Sequence, residues 1–520
     1  MPLTFLNWLL ALTPVAVVLL LMLRFRWGGA RAGAAGWFSA LILARLAFGA
    51  GWELLAYTQV KAVLLTLDVL YIIWTALLLY HVANEAGAVA TIGQALPSLT
   101  GDRTLQGLLL GWVFASFLQG MGGFGVPVAV SAPLLVGLGY SPVQAVLMAC
   151  IGHGWAVNFG SMATSFQTLM AVTGLPGEVL APDAALLLGF SALSCGAVVA
   201  FIGDGWGGLR RTLPAILIIG SVMGGAQYLL VTHGFWTLGA TLAALAGLAA
   251  GLAVCRLPRY RPSAPVASAV PSKGRIVMAL SGYAVLVALA FAFNLIPALN
   301  RLVDSVQLDL YFPELTTALG VRTPAGTGRS INLFGHPGAV LLYASVAAFL
   351  LYRRAGYYPS AALRRILDRT AHGAVGSSLG VAAMVGMAVM MSHSGMTGLL
   401  AQGLSRVFSG SLYPLAAPFI GALGAFITGS NNNSNVLFAV LQMRTAELLR
   451  LSVPLILGAQ TAGGSLGSIM APAKVIVGCS TVGLGEDESA VMKPILGYGL
   501  LPVLLVALLA VLLARSMGGA

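Results

Sequence analysis

The run Phe426-Ile427-Thr428-Gly429-Ser430-Asn431-Asn432-Asn433-Ser434-Asn435-Val436-Leu437-Phe438 decides how this chain is to be read. Residues 428–435 are all polar or glycine, and the sequence on both sides is apolar. A surface loop could carry this composition, but its apolar flanks argue for membrane depth. A regular lipid-facing helix does not tolerate such a density of polar groups. Irregular backbone survives at that depth only where protein buries it or water lines it. Carboxamides and hydroxyls placed there can hold a small polar solute. Unwound N–H groups, or the start of the helix that follows, can hold a carboxylate.

The composition agrees with that setting. Of 520 residues, 58% are hydrophobic and only 8% are charged, against about 25% charged in a soluble domain. A string of soluble domains is excluded, and an all-α polytopic membrane protein follows. The 65 glycines fit helices packed through small residues and broken at mid-depth. The net charge of +12 comes from 27 basic and 15 acidic residues. The basic ones gather in short loops between apolar runs, which marks cytoplasmic loops rather than a nucleic-acid partner. Cys150, Cys195, Cys255 and Cys479 show no paired spacing, so no disulfide framework or zinc site is expected. Residues 1–23 lack the basic start of a cleaved signal and read as a retained first span.

A span needs about 20 apolar residues. Candidate segments fall near 7–23, 36–56, 62–82, 104–121, 143–158, 186–203, 213–231, 236–255, 276–297, 337–352, 374–392, 413–428, 451–463 and 494–514. The short ones at 143–158 and 451–463 need not cross alone, giving about 12–14 membrane segments. Basic loops at 24–31, 210–211, 256–275 and 353–369 are expected in the cytoplasm, and 298–336 outside. The expected organisation is N-terminal helices over 1–103, a first repeat over 104–255 and a Pro/Ser-rich linker over 256–275. Connecting helices over 276–373 and a second repeat over 374–520 follow.

The repeat rests on two polar breaks, one near 121–127 (Gly122-Gly123-Phe124-Gly125) and one near 428–435. Their offset is 429 − 122 = 307. The same offset carries Phe159-Gly160-Ser161-Met162 onto Leu466-Gly467-Ser468-Ile469, and His153 onto Gln460. Loop charges place residue 103 inside and residue 411 outside, so the two units enter the membrane from opposite faces. An inverted repeat of this kind is a mark of secondary transporters. Gly122, Gly123 and Gly125 permit unusual backbone angles, and Pro127 can start a helix, which suggests a re-entrant hairpin.

Ionisable residues within spans are scarce and therefore informative. Lys474 could pair with an organic anion or replace a coupling sodium; the alternative is a lysine snorkelling to the interface. His153 could carry a proton or be a satisfied core histidine. Asp68, a heptad after Lys61, is a second proton candidate or half of a structural ion pair. His393 is a weaker candidate. No zinc-protease, nucleophile-elbow, Walker or dinucleotide-binding motif occurs, so neither an enzyme nor a built-in ATP motor is expected, nor is a cofactor.

Three stretches resemble the L-lactate permease family: GGFGVPVAVSAPLLVGLGYSPVQAVLMACIGHGWAVNFGS, INLFGHPGAVLLYAS, and FITGSNNNSNVLFAVLQ followed by AGGSLGSIMAPAKVIVG. The resemblance covers the chain from about residue 62 onward. It implies proton-coupled uptake of lactate, and often glycolate, across the prokaryotic cytoplasmic membrane. It also implies inverted repeats with paired re-entrant hairpins and, from the wider group, an elevator-type motion. Asn432 stands where the family pattern has Thr, Asn431 is uncharged where some members have Asp, and Lys474 and His153 are not general. The substrate-binding set expected from the two breaks and the polar stretches after them is Gly122, Gly123, Gly125, Asn158, Ser161, Ser430, Asn431, Asn432, Asn433, Ser434, Asn435, Thr461, Ser465 and Lys474. His153, then Asp68, would carry the proton. The expected partners are a small 2-hydroxy acid, a proton and membrane lipid, and a homo-oligomer is left open. Sodium-coupled carboxylate uptake and an anion channel are the alternatives; a membrane-embedded enzyme lacks a catalytic constellation.

Overall fold

A computed structural model describes residues 2–25, 27–123, 125–260, 272–303, 305–327, 330–484 and 489–517. Most of the expected linker at 256–275 lies outside these residues, as do Phe124 in the first break and Asp304 and Arg329 in the 298–336 loop. Among the described residues, nine helices are long and apolar enough to cross a membrane. The helix is the favoured answer in lipid because it satisfies every backbone N–H and C=O internally. The second helix runs over Gly29–Leu46 and the third begins at Trp52. The expected span at 36–56 had merged the end of one with the start of the next. The apparent helix Gly177–Thr232 is two helices that meet at Asp204 and Gly205, whose backbone angles are not helical.

The helices have distinct ends. At one end Glu85 meets Arg365 at 2.7 Å and Arg369 at 3.2 Å. Asp102 meets Arg211 at 2.7 Å in the other basic cluster, where the Tyr260 hydroxyl donates to the Arg211 carbonyl. Helix Trp52–Glu85 rises about 1.5 Å per residue, so its first turns lie far from that end. There the Lys61 ammonium sits 4.9 Å from the Phe312 ring centroid. Phe312 belongs to a ladder of two-residue strands within the 298–336 loop, in which Gln307–Leu308 pairs with Ile331–Asn332 and Leu315–Thr316 with Arg322–Thr323.

Between these ends lie four broken helices. Arg103–Met121 breaks at 122–125 and resumes as Val126–Gly137. Pro142–Gly152 breaks at 153–163 and resumes as Thr164–Thr173. Tyr413–Thr428 breaks at Gly429 and Ser430 and resumes as Asn431–Leu448. Val453–Ser468 breaks at 469–471 and resumes as Pro472–Thr481. Adding 307 carries Met121 onto Thr428 and Thr173 onto Ser480, within a residue of the observed bounds. Local sequence sets the starts: Ser141 accepts from the Gln144 N–H ahead of Pro142, and Ser452 accepts from the Leu455 N–H ahead of Pro454. Small residues set the packing. A Cβ at Gly421 or Gly463 would strike a backbone carbonyl of the facing helix, so Tyr413–Thr428 and Val453–Ser468 approach backbone to backbone.

The unwound part of the second break is narrower than the sequence suggested. Only Gly429 (φ 75°) and Ser430 (φ −149°) leave the helix, and Asn431 already begins the next one. The polar run is therefore a buried helix N-terminus more than an open loop. The stretches 152–161 and 460–468, equivalent in the repeat, also differ: the first is unwound and the second is helical through Ser468.

Candidate solute site

The head of helix Asn431–Leu448, the middle of Val453–Ser468 and the unwound segment 153–163 converge on one polar cluster. The Asn158 Oδ1 accepts from the Thr461 hydroxyl at 2.6 Å. The Asn431 carboxamide nitrogen donates to Thr461 at 3.2 Å, to Ser465 at 3.0 Å and to Asn158 at 3.4 Å. One turn on, the Asn435 nitrogen donates to Thr461 at 2.9 Å and to the Ser165 carbonyl at 3.0 Å. The Ser165 hydroxyl donates to the Asn432 Oδ1 at 2.6 Å. All seven side chains belong to buried residues.

The cluster has unused polar capacity. Among the described residues, the Oδ1 atoms of Asn431, Asn433 and Asn435 and the Nδ2 atoms of Asn158 and Asn432 are buried without a hydrogen-bond partner. Leaving such a group unsatisfied costs about 1–3 kcal/mol. A ligand with both donors and acceptors can satisfy several at once. The helix N-terminus adds partial positive charge on the same spot, which favours an anion.

Backbone strain marks the same place. Ser161, Met162 and Ala163 all take left-handed φ, at 48°, 57° and 59°. Such residues cost about 1–3 kcal/mol each and persist where the surroundings hold them, often at ligand clamps. The Ser161 N–H donates to the Gln119 carbonyl at 2.8 Å, and the Phe166 N–H donates to the Asn158 carbonyl at 3.3 Å.

Of the residues singled out in the sequence, Asn158, Asn431, Asn432, Asn435, Thr461 and Ser465 are brought into one network. Asn433 lies beside it with its Oδ1 unpartnered among the described residues. Ser430 supplies the carbonyl that receives the Ser434 N–H. Ser434 faces another way: its hydroxyl donates to the Gly421 carbonyl at 2.7 Å and accepts from Gln460 at 3.1 Å. The glycine break does not meet the asparagine break directly. Gly123 (φ 57°) packs on the Ser161 hydroxyl, Gly122 on the Tyr80 ring and Gly125 (φ 91°) on Val477, so Ser161 belongs to that contact and not to the network. Lys474 is buried, 8% exposed, and donates to the Ser468 hydroxyl at 3.0 Å. It does not snorkel. Ser468 in turn donates to the Ser465 carbonyl, which ties the ammonium to the edge of the network.

His153 is fully buried, with Nδ1 2.7 Å from the Ala149 carbonyl of its own helix. Asp68 lies away from the network. Its close partner is His336, at 3.0 Å, and not Lys61, which takes the Phe312 ring instead. His336 stacks on Tyr71, and its Nδ1 accepts from the Gly338 N–H at 3.1 Å. Sequence reasoning passed over His336 and Ser165. The first had a signal, a lone histidine before Pro337 within an apolar stretch; the second had none.

A bundle of broken helices around a buried, uncharged polar cluster is the arrangement of a membrane transport protein. The chain belongs to the L-lactate permease family, whose sequence profile matches residues 7–517. It is 28% identical over 443 residues to an L-lactate permease of Halalkalibacterium halodurans, covering 82% of this chain and 81% of that one. It is 26% identical over 485 residues to glycolate permease GlcA of Escherichia coli, covering 86% and 85%. Among solved structures, the YdaH transporter of Alcanivorax borkumensis, described as having an unusual topology, shares the fold. Its TM-score is 0.51 at 15% identity, covering 94% of this chain and 98% of that one. Family and helices together make this an integral protein of the bacterial plasma membrane.

Proposed function

We propose that the protein imports L-lactate, and by the same chemistry glycolate and related 2-hydroxymonocarboxylates, together with a proton. The observation that carries this reading is the buried carboxamide and hydroxyl network at the head of helix Asn431–Leu448. A 2-hydroxycarboxylate presents acceptors on the carboxylate and both a donor and an acceptor on the hydroxyl. The carboxylate takes the Asn158 and Asn432 amide N–H groups and the positive helix end. The hydroxyl donates to the Asn431 or Asn433 oxygen and accepts from Ser465, whose own hydrogen is uncommitted among the described residues, whereas the Thr461 hydrogen is held by Asn158. Lys474 adds attraction from the edge.

The inverted arrangement of repeats 104–255 and 374–520 is part of the proposal, supported by the match of the first break at Met121 with Thr428, by the match of the last ends at Thr173 with Thr481, and by the loop charges. Protons solve an energetic problem. An inside-negative potential opposes anion uptake by about 2.3 kcal/mol per 100 mV, and one cotransported proton cancels it. His153, buried next to the strained segment, is the first candidate to hold that proton. The Asp68–His336 pair is the second. A sodium-coupled mechanism draws on one specific observation, the three unpartnered Oδ1 atoms of Asn431, Asn433 and Asn435.

The test is labelled L-lactate uptake into proteoliposomes under an imposed pH gradient without sodium. Concentrative uptake that collapses with a protonophore is expected. Uptake that needs sodium at fixed pH would replace the proton with sodium and keep the site.

A further inference from the structure

A cavity lies on another face of the helix that carries the asparagines. It has a volume of about 180 Å³. Helices Trp52–Glu85, Thr164–Thr173, Ala362–His393 and Asn431–Leu448 wall it. Its polar lining is Lys61, Ser392, His393 and Thr397, and most of the remainder is aliphatic or methionine. Val436, Leu437 and Val440 face it from helix Asn431–Leu448. Asn433 lies on that face by helical spacing, one turn earlier.

The strand ladder of the 298–336 loop touches two of the lining side chains. Phe312 stands over the Lys61 ammonium, and the Thr323 hydroxyl lies 3.0 Å from His393 Nδ1. Among the described residues, no carboxylate lies within ion-pair distance of Lys61. A cation that no described carboxylate neutralises, in a cavity with hydroxyls and apolar walls, suits a small anion. On this measure one water needs only about 10–15 Å³, so the cavity has room for a short carboxylate.

We propose that this cavity is a vestibule that captures the carboxylate at the face covered by the 298–336 loop, before it reaches the asparagine network. Lys61 holds the carboxylate, Ser392 and Thr397 hold its polar substituent, and Asn433 stands between the two sites. The proposal rests on the carboxylate reading of the transported solute.

The test compares KM for labelled L-lactate on the two sides of the membrane, in right-side-out and inside-out vesicles. Lys61→Gln removes a charge-assisted contact, so KM from the loop side should rise about tenfold, with the loss on KM rather than on Vmax. KM from the other side should hold, and Lys61→Arg should restore the loop-side value. An equal shift from both sides, or none, would overturn the vestibule. A second measurement separates this from failure of the lactate reading. A membrane-impermeant amine reagent is applied to wild-type protein from the loop side, and Lys61 is followed by mass spectrometry with and without L-lactate, glycolate or acetate. If no lactate is transported but a carboxylate protects Lys61, the vestibule stands and the transport reading falls. Lack of protection by all three, or failure of the reagent to reach Lys61, would overturn the vestibule.

Discussion

Thr461 is the residue on which the network turns. Its hydroxyl serves Asn158, Asn431 and Asn435 together. Thr461→Val keeps the shape, removes that hydroxyl and leaves three carboxamides to reorganise. Lactate KM should rise about tenfold or more, since each lost buried hydrogen bond is worth about 1 kcal/mol. Steady-state uptake in vesicles checks it. Lys474 acts at longer range through Ser468, so Lys474→Gln should weaken affinity less than Thr461→Val does in the same assay. The Asp68–His336 pair makes a different prediction. Removing one member of a buried pair costs about 3 kcal/mol or more, so His336→Ala should lower the thermal unfolding midpoint of the purified protein. Asparagines and the threonine could be picked out in the sequence because polar residues stand out in apolar surroundings. Ser165 could not, because one serine in a small-residue helix looks like packing until its contact with Asn432 is seen.

Elements were legible in proportion to their length. Long spans announced themselves by apolar content: the candidate ranges fall on observed helices, but 36–56 is displaced, 62–82 and 374–392 start 10 and 12 residues late, and 143–158 runs 6 past its helix. Val126–Gly137, Thr164–Thr173 and Pro472–Thr481 were missed because 12, 10 and 10 residues are too few for a span. They are the returning arms of broken helices; Pro127 and Pro472 at their starts hint at two of them, and nothing comparable marks Thr164. The left-handed run at 161–163 had no signal, since none of its residues is glycine. At this scale the account predicts that Gly464→Ala disables transport, because a Cβ there would strike the Asn431 Oδ1. Gly123→Ala should do the same through a different route, a positive φ and a collision with Ser161. Loss of uptake with normal membrane expression is the expected readout for both; wild-type uptake in either would separate that break from the site.

At the scale of the whole molecule, the sequence conveyed the class and the two breaks, while convergence of three distant segments needed the fold. Asn158 lies 273 residues from Asn431 and 303 from Thr461, and no local pattern says that they touch. Proton coupling belongs to this scale as well: uptake should rise as the outside is made more acidic at constant membrane potential, measured in proteoliposomes with a potassium clamp. The central claim is that the head of helix Asn431–Leu448 with Asn158 and Thr461 forms the substrate site. Equilibrium binding of L-lactate to purified wild-type protein and to Asn431→Ala, by titration calorimetry with matched thermal stability, tests it most directly. The account predicts saturable binding in the wild type that falls by about tenfold or more in the variant. Equal affinity in the two would contradict it.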